Sequence, residues 1–189
     1  MNTKLSFWLI PAAEDRTYFQ KIIDSLAQEY DAPTFAPHVT IYSGEYEPDE
    51  SLESFIEQAT QGIKSFSLKV NQLLYTEEFT KTLFVQFQQN STLKQISESL
   101  RSFSKTPSNF TLNPHLSLIY KHLSQDIKKE LTTKIDLPKS EILFNEVRVI
   151  SISSKVETRE DVENWGLICT KNLQMEDGFS NLPQFGANI

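Results

Sequence analysis

The 189-residue chain sets 18 Lys and Arg against 25 Asp and Glu, a formal net charge of −7, and is 39% hydrophobic and 11% aromatic. That length suits one domain or two small lobes sharing a cleft, and 13 Phe exclude a chain too poor in apolar side chains to build a core. The acidic balance argues against a coat for long nucleic acid, which draws on clustered Lys and Arg, but leaves a nucleotide or an RNA end open. Cys169 is the one cysteine, so no internal disulfide forms and a reducing compartment is expected. The apolar run 5–10 is stopped by Pro11 and is too short for a signal h-region or a membrane span. A soluble, cytoplasmic, monomeric protein with no membrane association is expected.

In chain order, 4–10 (KLSFWLI) predicts a strand and 14–30 a helix, with Phe19, Ile22, Ile23, Leu26 and Ala27 on one stripe. A short strand follows Pro37 and ends at Ser43-Gly44. Pro48-Asp49 starts a second helix that buries Leu52, Phe55, Ile56 and Ala59 and stops near Gly62. The stretches 65–75 and 81–88 alternate apolar with polar residues and predict an antiparallel pair turned at Glu77-Glu78. Ser91 is the expected N-cap of a helix to about Ser104, and 105–109, with Pro107, is a loop. A strand from His115, a helix over 124–135 capped by Ser124, a long strand over 142–153 and a last strand over 165–170 complete the pattern. Beyond Leu173 the chain turns polar and small, and 174–189 is expected to be loosely ordered. The order is α+β with approximate internal duplication, and nothing in it suggests successive βαβ units.

The duplication is most explicit in one motif. Pro37-His38-Val39-Thr40-Ile41-Tyr42 is echoed by Pro114-His115-Leu116-Ser117-Leu118-Ile119-Tyr120, and these hold two of the three histidines. Both read as strands, on which residues two apart share a face. His38 therefore sides with Thr40, and His115 with Ser117, each opposite an apolar face that seeks a core. Tyr42 falls on the His38 face, where it is a candidate base or rim contact, with a core tyrosine as the alternative.

Two His-x-Thr/Ser motifs, one in each half of a chain this size, resemble the 2H phosphoesterases. Within that group the sequence is most similar to the plant and yeast type of cyclic nucleotide phosphodiesterase. The likeness extends to "SFWLIP", "FAPHVTIYSG", "NPHLSLIYKHLSQDIKKE" and "ENWGLICTKNL", and covers roughly residues 5–173. It implies a single bilobal domain over 1–173, with two antiparallel sheets facing a central cleft, helices outside and an approximate twofold between the lobes. It also implies hydrolysis of nucleoside 2′,3′-cyclic phosphates or ADP-ribose 1″,2″-cyclic phosphate without metal or cofactor. By the same resemblance Tyr120 matches a tyrosine near the phosphate. Strict alternation from His115 puts Tyr120 on the wrong face, so a bulge or the strand's end has to bring it round.

The chemistry agrees with the motif. Opening a cyclic phosphodiester with water needs one proton removed and one supplied, and histidine does either near neutrality. His38 and His115 are the expected acid–base pair, and the Thr40 and Ser117 hydroxyls the expected phosphate donors. Trp8 and Trp165 are expected to pack the core or the lobes, and His122 to lie on the surface. Lys81, next to the Leu83-Val85 strand, is expected to be a solvated lysine, with a groove-facing lysine that attracts phosphate as the alternative. Glu45, Glu47, Asp49 and Glu50 suggest the start of a helix favoured by its dipole. No spacing suggests zinc, no Gly-x-Ser-x-Gly turn a serine nucleophile, and no glycine-rich loop a phosphate cradle. Two alternatives stay open: an RNA-end enzyme of the 2′-5′ ligase or RNA cyclic phosphodiesterase kind, and a non-catalytic binder of cyclic phosphates or RNA ends.

Overall fold

The computed structural model describes residues 3–47, 50–137 and 139–174. Among the described residues are seven strands: β1 (Thr3–Pro11), β2 (Val39–Tyr46), β3 (Phe66–Tyr75), β4 (Leu83–Phe87), β5 (His115–Ile119), β6 (Glu141–Ser151) and β7 (Gly166–Asn172). The helices are α1 (Ala13–Tyr30), α2 (Leu52–Ala59), α3 (Ser91–Phe103), α4 (Gln125–Lys134) and α5 (Arg159–Glu163). All strand pairs are antiparallel, in the order β1-β2-β5-β4-β3-β6-β7. The α+β class and its antiparallel pairing are those expected. The two expected sheets are continuous with each other, because β2 meets β5 at one seam and β3 meets β6 at another. A further pairing of β1 with β6 closes six strands into a ring and leaves β7 outside on β6.

Each strand sorts its residues by face. Leu5, Phe7 and Leu9 of β1, Val39 and Ile41 of β2, Leu83, Val85 and Phe87 of β4, and Leu116 and Leu118 of β5 join one core. Phe19, Leu26 and Ala27 of α1, Ile56 and Ala59 of α2, and Leu93, Ile96 and Leu100 of α3 cover it. The intervening residues point to the other face, which carries the histidines.

Several boundaries move for local reasons. The N-cap of α3 is Asn90, whose side chain accepts a hydrogen bond from Leu93 N at 3.0 Å, so Ser91 is the first helical residue. The helix start expected at Pro48-Asp49 falls outside the described residues, and α2 begins at Leu52. Glu47 and Glu50 are instead tied to the 105–109 loop: Lys105 Nζ lies 2.9 Å from Glu47, and Lys105 N donates to Glu50. Residues 79–81 form a 3-10 turn, which shortens β4 at its start. Helix α5 is too short to show a period, but its capping box between Thr158 and Asp161 is explicit. Of the expected loose tail, only Gln174 is among the described residues, in a bridge with Lys64.

The cap assignment is testable by urea unfolding. Asn90→Ala should cost about 1 kcal/mol, as loss of an N-cap typically does, and Ser91→Ala only a few tenths. The reverse ranking would return the cap to Ser91.

Candidate active site

The two Pro-His segments are built alike. In each, the residue before proline is biased towards extended backbone and proline fixes its own φ, so the carbonyl two residues before the histidine is held beside the imidazole. His38 Nδ1–H donates to the Ala36 carbonyl at 2.7 Å, and His115 Nδ1–H donates to the Asn113 carbonyl at 2.7 Å. A carbonyl can only accept, so in the neutral ring both histidines carry their proton on Nδ1 and leave a lone pair on Nε2. Each segment is fixed from outside by a glutamine. Gln20 Nε2 of α1 donates to Phe35 O at 3.1 Å, and Gln86 Nε2 of β4 donates to Asn113 Oδ1 at 3.0 Å and to Pro114 O at 2.8 Å.

The motif strands meet at a single residue pair, Val39 opposite Leu116. Both of these side chains enter the core, so the residues on either side of them face the other way. Because the pair is antiparallel, stepping one residue back on each strand reaches His38 and His115, and one forward reaches Thr40 and Ser117. The seam thus sets each histidine on the side where the other strand's hydroxyl residue lies.

Both strands then bulge at the same place. Opposite β1, Trp8 pairs with Thr40 and Phe7 with Tyr42, so Ile41 is the extra residue. Opposite β4, Phe84 pairs with Ser117 and Leu83 with Ile119, so Leu118 is the extra residue. A bulge reverses the alternation beyond it. Tyr42, expected on the His38 face, accordingly turns into the core against Phe7, is 1% exposed, and accepts a hydrogen bond from Ser108 N through its hydroxyl. This corrects its candidacy as a base or rim contact. By the same reversal Tyr120 comes round to the histidine side, just past the end of β5. It stacks on Phe35 at 4.0 Å, and its hydroxyl shares a hydrogen bond with Ser117.

The two hydroxyl residues differ. Ser117 Oγ donates to the Thr80 carbonyl at 2.7 Å and is buried. Thr40 is half-buried, and its hydroxyl has no hydrogen bond among the described residues.

Aromatic rings surround His38. Trp8 stacks on it at 3.6 Å with the planes 9° apart, and Trp165 and Phe35 meet it edge-on at 6.0 and 6.2 Å. His115 meets the edge of Phe84 at 5.4 Å. Both tryptophans pack against apolar clusters as expected, and Phe35 joins them around His38 without any signal in the sequence. In β1 every position from Leu5 to Ile10 is buried, so no polar alternation marks Trp8 as belonging to the histidine face. Its register opposite Thr40 is the signal, and that needs the pairing. His122 is exposed beside Phe79, and takes no part in the pair.

Burial dominates the titration of both histidines. It pulls His38 down to about 3, against the Ala36 hydrogen bond that favours the charged ring, and His115 and Arg148 push the same way as burial. Burial also lowers His115, opposed by the Asn113 hydrogen bond, with Lys81 lowering it further and Glu78 raising it. Arg148 is itself paired to Glu146, which also meets Arg16 at 3.4 Å. Among the described residues no group of three or more His, Cys, Asp or Glu is placed to hold a metal ion, and no helix is long and apolar enough to cross a membrane.

The sequence profile of the cyclic phosphodiesterase-like protein family matches residues 1–173, and the chain belongs to that family, a group of phosphodiester hydrolases. A cyclic phosphodiesterase of Arabidopsis thaliana is 25% identical over 171 residues, covering 89% of this chain and 94% of that one. Two solved structures share the fold. E. coli LigT complexed with 3′-AMP has a TM-score of 0.56 at 14% identity, covering 93% of this chain and 100% of its own. TT0787 of Thermus thermophilus has a TM-score of 0.57 at 13% identity, covering 92% and 99%.

The depressed His38 makes a signed prediction. An unfolded imidazole titrates near 6.5, whereas folded His38 titrates at about 3. Below 6.5 the unfolded chain binds a proton that the folded chain refuses. This contribution costs nothing above 6.5 and grows as pH falls towards 3. Urea midpoints should therefore drop more steeply from pH 7 to pH 4.5 in the wild type than in His38→Asn. Equal slopes would show that His38 is not held neutral by the fold.

Proposed function

We propose that this chain hydrolyses a nucleotide-like cyclic phosphodiester to a phosphomonoester, with His38 and His115 as its acid–base pair and no metal. The substrates that fit are a nucleoside 2′,3′-cyclic phosphate, opened to the 2′-phosphate, and ADP-ribose 1″,2″-cyclic phosphate, opened to ADP-ribose 1″-phosphate. The observation that carries this reading is the matched pair of histidines, each pinned at Nδ1 by a carbonyl two residues back and each left with a bare Nε2. The naming of the Arabidopsis relative and the nucleotide held by LigT support the substrate class.

One Nε2 takes a proton from water as the water oxygen bonds to phosphorus. The other histidine, protonated at Nε2, gives its proton to the ribose oxygen as the phosphorus–oxygen ring bond breaks. One proton is taken up and one released, so the pair ends with its roles exchanged and resets through solvent. Each transfer is typically worth about 10²–10⁴-fold. The carbonyls behind Nδ1 help here, because they stabilise the imidazolium that each ring becomes in turn. Thr40 offers a free hydroxyl to a phosphoryl oxygen. Ser117 can do the same once its proton leaves the Thr80 carbonyl, with Tyr120 steadying its oxygen.

The test is turnover of both substrates in EDTA, wild type beside His38→Ala and His115→Ala. Activity should survive the chelator, and each substitution should lower kcat by about 10² or more. Activity indifferent to either histidine, or lost in EDTA and restored by a divalent cation, would contradict the mechanism. Turnover confined to RNA ends would move the substrate while keeping the chemistry.

A further inference from the structure

The two halves of the histidine face are unequal in charge. The cation beside His38, Arg148, is already paired with Glu146. The cation beside His115 is Lys81, and none of the ion pairs or side-chain hydrogen bonds among the described residues involves its ammonium group. Its Nζ rests 5.3 Å from the centroid of Phe84, the ring that meets His115 edge-on and pairs across the sheet with Ser117. An ammonium that joins no ion pair among the described residues, beside a histidine pair, is unexpected in a chain of net charge −7.

The backbone that presents this lysine is held from several sides. Thr76 Oγ1 and Thr76 N both donate to the Lys81 carbonyl, at 2.7 and 3.2 Å. Lys81 N donates to Glu78 O at 3.0 Å, and Thr82 Oγ1 donates to the carbonyls of Glu78 and Phe79. Beneath the turn, Lys128 of α4 is 1% exposed, donates to Thr76 O at 3.0 Å and pairs with Glu77. The residue before Lys81 is Thr80, whose carbonyl takes the Ser117 proton. A clasped turn thus leaves one flexible, positively charged stem next to the serine expected to hold phosphate.

We propose that Lys81 is the phosphate-binding cation of this site. Its ammonium moves from the Phe84 ring to a non-bridging oxygen of the reacting cyclic phosphate, where it stabilises the charge that builds in the transition state. The inference rests on the two-histidine reading and adds to it a residue that the His-x-Thr/Ser motifs do not contain. The groups that face His115 are Lys81 of the turn, Glu78 just before it, and His38 at the entry to β2, with Arg148 of β6 behind His38.

Lys81→Met and Lys81→Arg separate this role from a structural one. On a nucleoside 2′,3′-cyclic monophosphate, which has a single phosphate, Lys81→Met should lower kcat/KM by roughly 10-fold to 100-fold, and Lys81→Arg should recover much of it. The ionisation assigned to His115 should move to higher pH in Lys81→Met, because a neighbouring cation is gone. Inorganic phosphate, followed by 31P line broadening, should bind Lys81→Met more weakly than wild type. Lys81→Met within twofold of wild type in turnover and in phosphate binding, while His38→Ala and His115→Ala are inactive, would overturn this proposal and leave the two-histidine reading intact. A loss confined to substrates with a second phosphate would also overturn it. If the wild type turned over no cyclic phosphate, the two-histidine reading would be what failed, and the phosphate titration alone would then decide for or against Lys81.

Discussion

The site depends on a hydrogen bond made twice: a backbone carbonyl accepting from the Nδ1–H of the histidine two residues later. Because proline lies between, the carbonyl and the ring are parts of one stiff tripeptide and need no distant partner to find each other. The bond selects the tautomer, aligns the ring and gives the imidazolium a place to share its charge. Many enzymes use a buried carboxylate for this purpose. Here a neutral carbonyl suffices, which suits a site whose substrate already brings negative charge.

Placing the two tripeptides together is the work of the sheet. The seam at Val39 and Leu116 buries one residue of each motif in the core and so turns the flanking residues of both to a shared face. An antiparallel seam is itself twofold, and that symmetry sets His38 toward Ser117 and His115 toward Thr40. The bulges at Ile41 and Leu118 end the arrangement in the same way on both strands, but with opposite results for the two tyrosines. One enters the core and the other joins the histidine side. Burial against Trp8, Phe35 and Trp165 then keeps His38 neutral at the cost of acid stability.

Much of this was legible in the sequence, for identifiable reasons. The Pro-His-x-Thr/Ser repeat is a local pattern, and local patterns with period two state which residues share a face. The helices announced themselves by apolar spacing, as α1 and α3 show. What the sequence hid was relational. Tyr42 was misplaced because a bulge depends on the partner strand, and nothing in the run Ile41-Tyr42 marks the extra residue. Trp8 packs as expected, but its place beside His38 stays hidden because β1 is apolar on both faces. Asn90 and Ser91 are both good caps, and only the geometry of the Leu93 N–H chooses between them. For Lys81 the sequence left solvation and a groove-facing role both open, since the choice depends on which rings and carboxylates of the fold lie near it.

The central claim is that both histidines present Nε2 to the same phosphate. The most direct measurement is the 15N spectrum of the histidine rings as a nucleoside 2′-phosphate is added. The account predicts that His38 and His115 begin as Nδ1–H tautomers and that both Nε2 signals shift with the ligand, while His122 stays as it was. A shift at only one of the two, or an Nε2–H tautomer at either in the free protein, would contradict it.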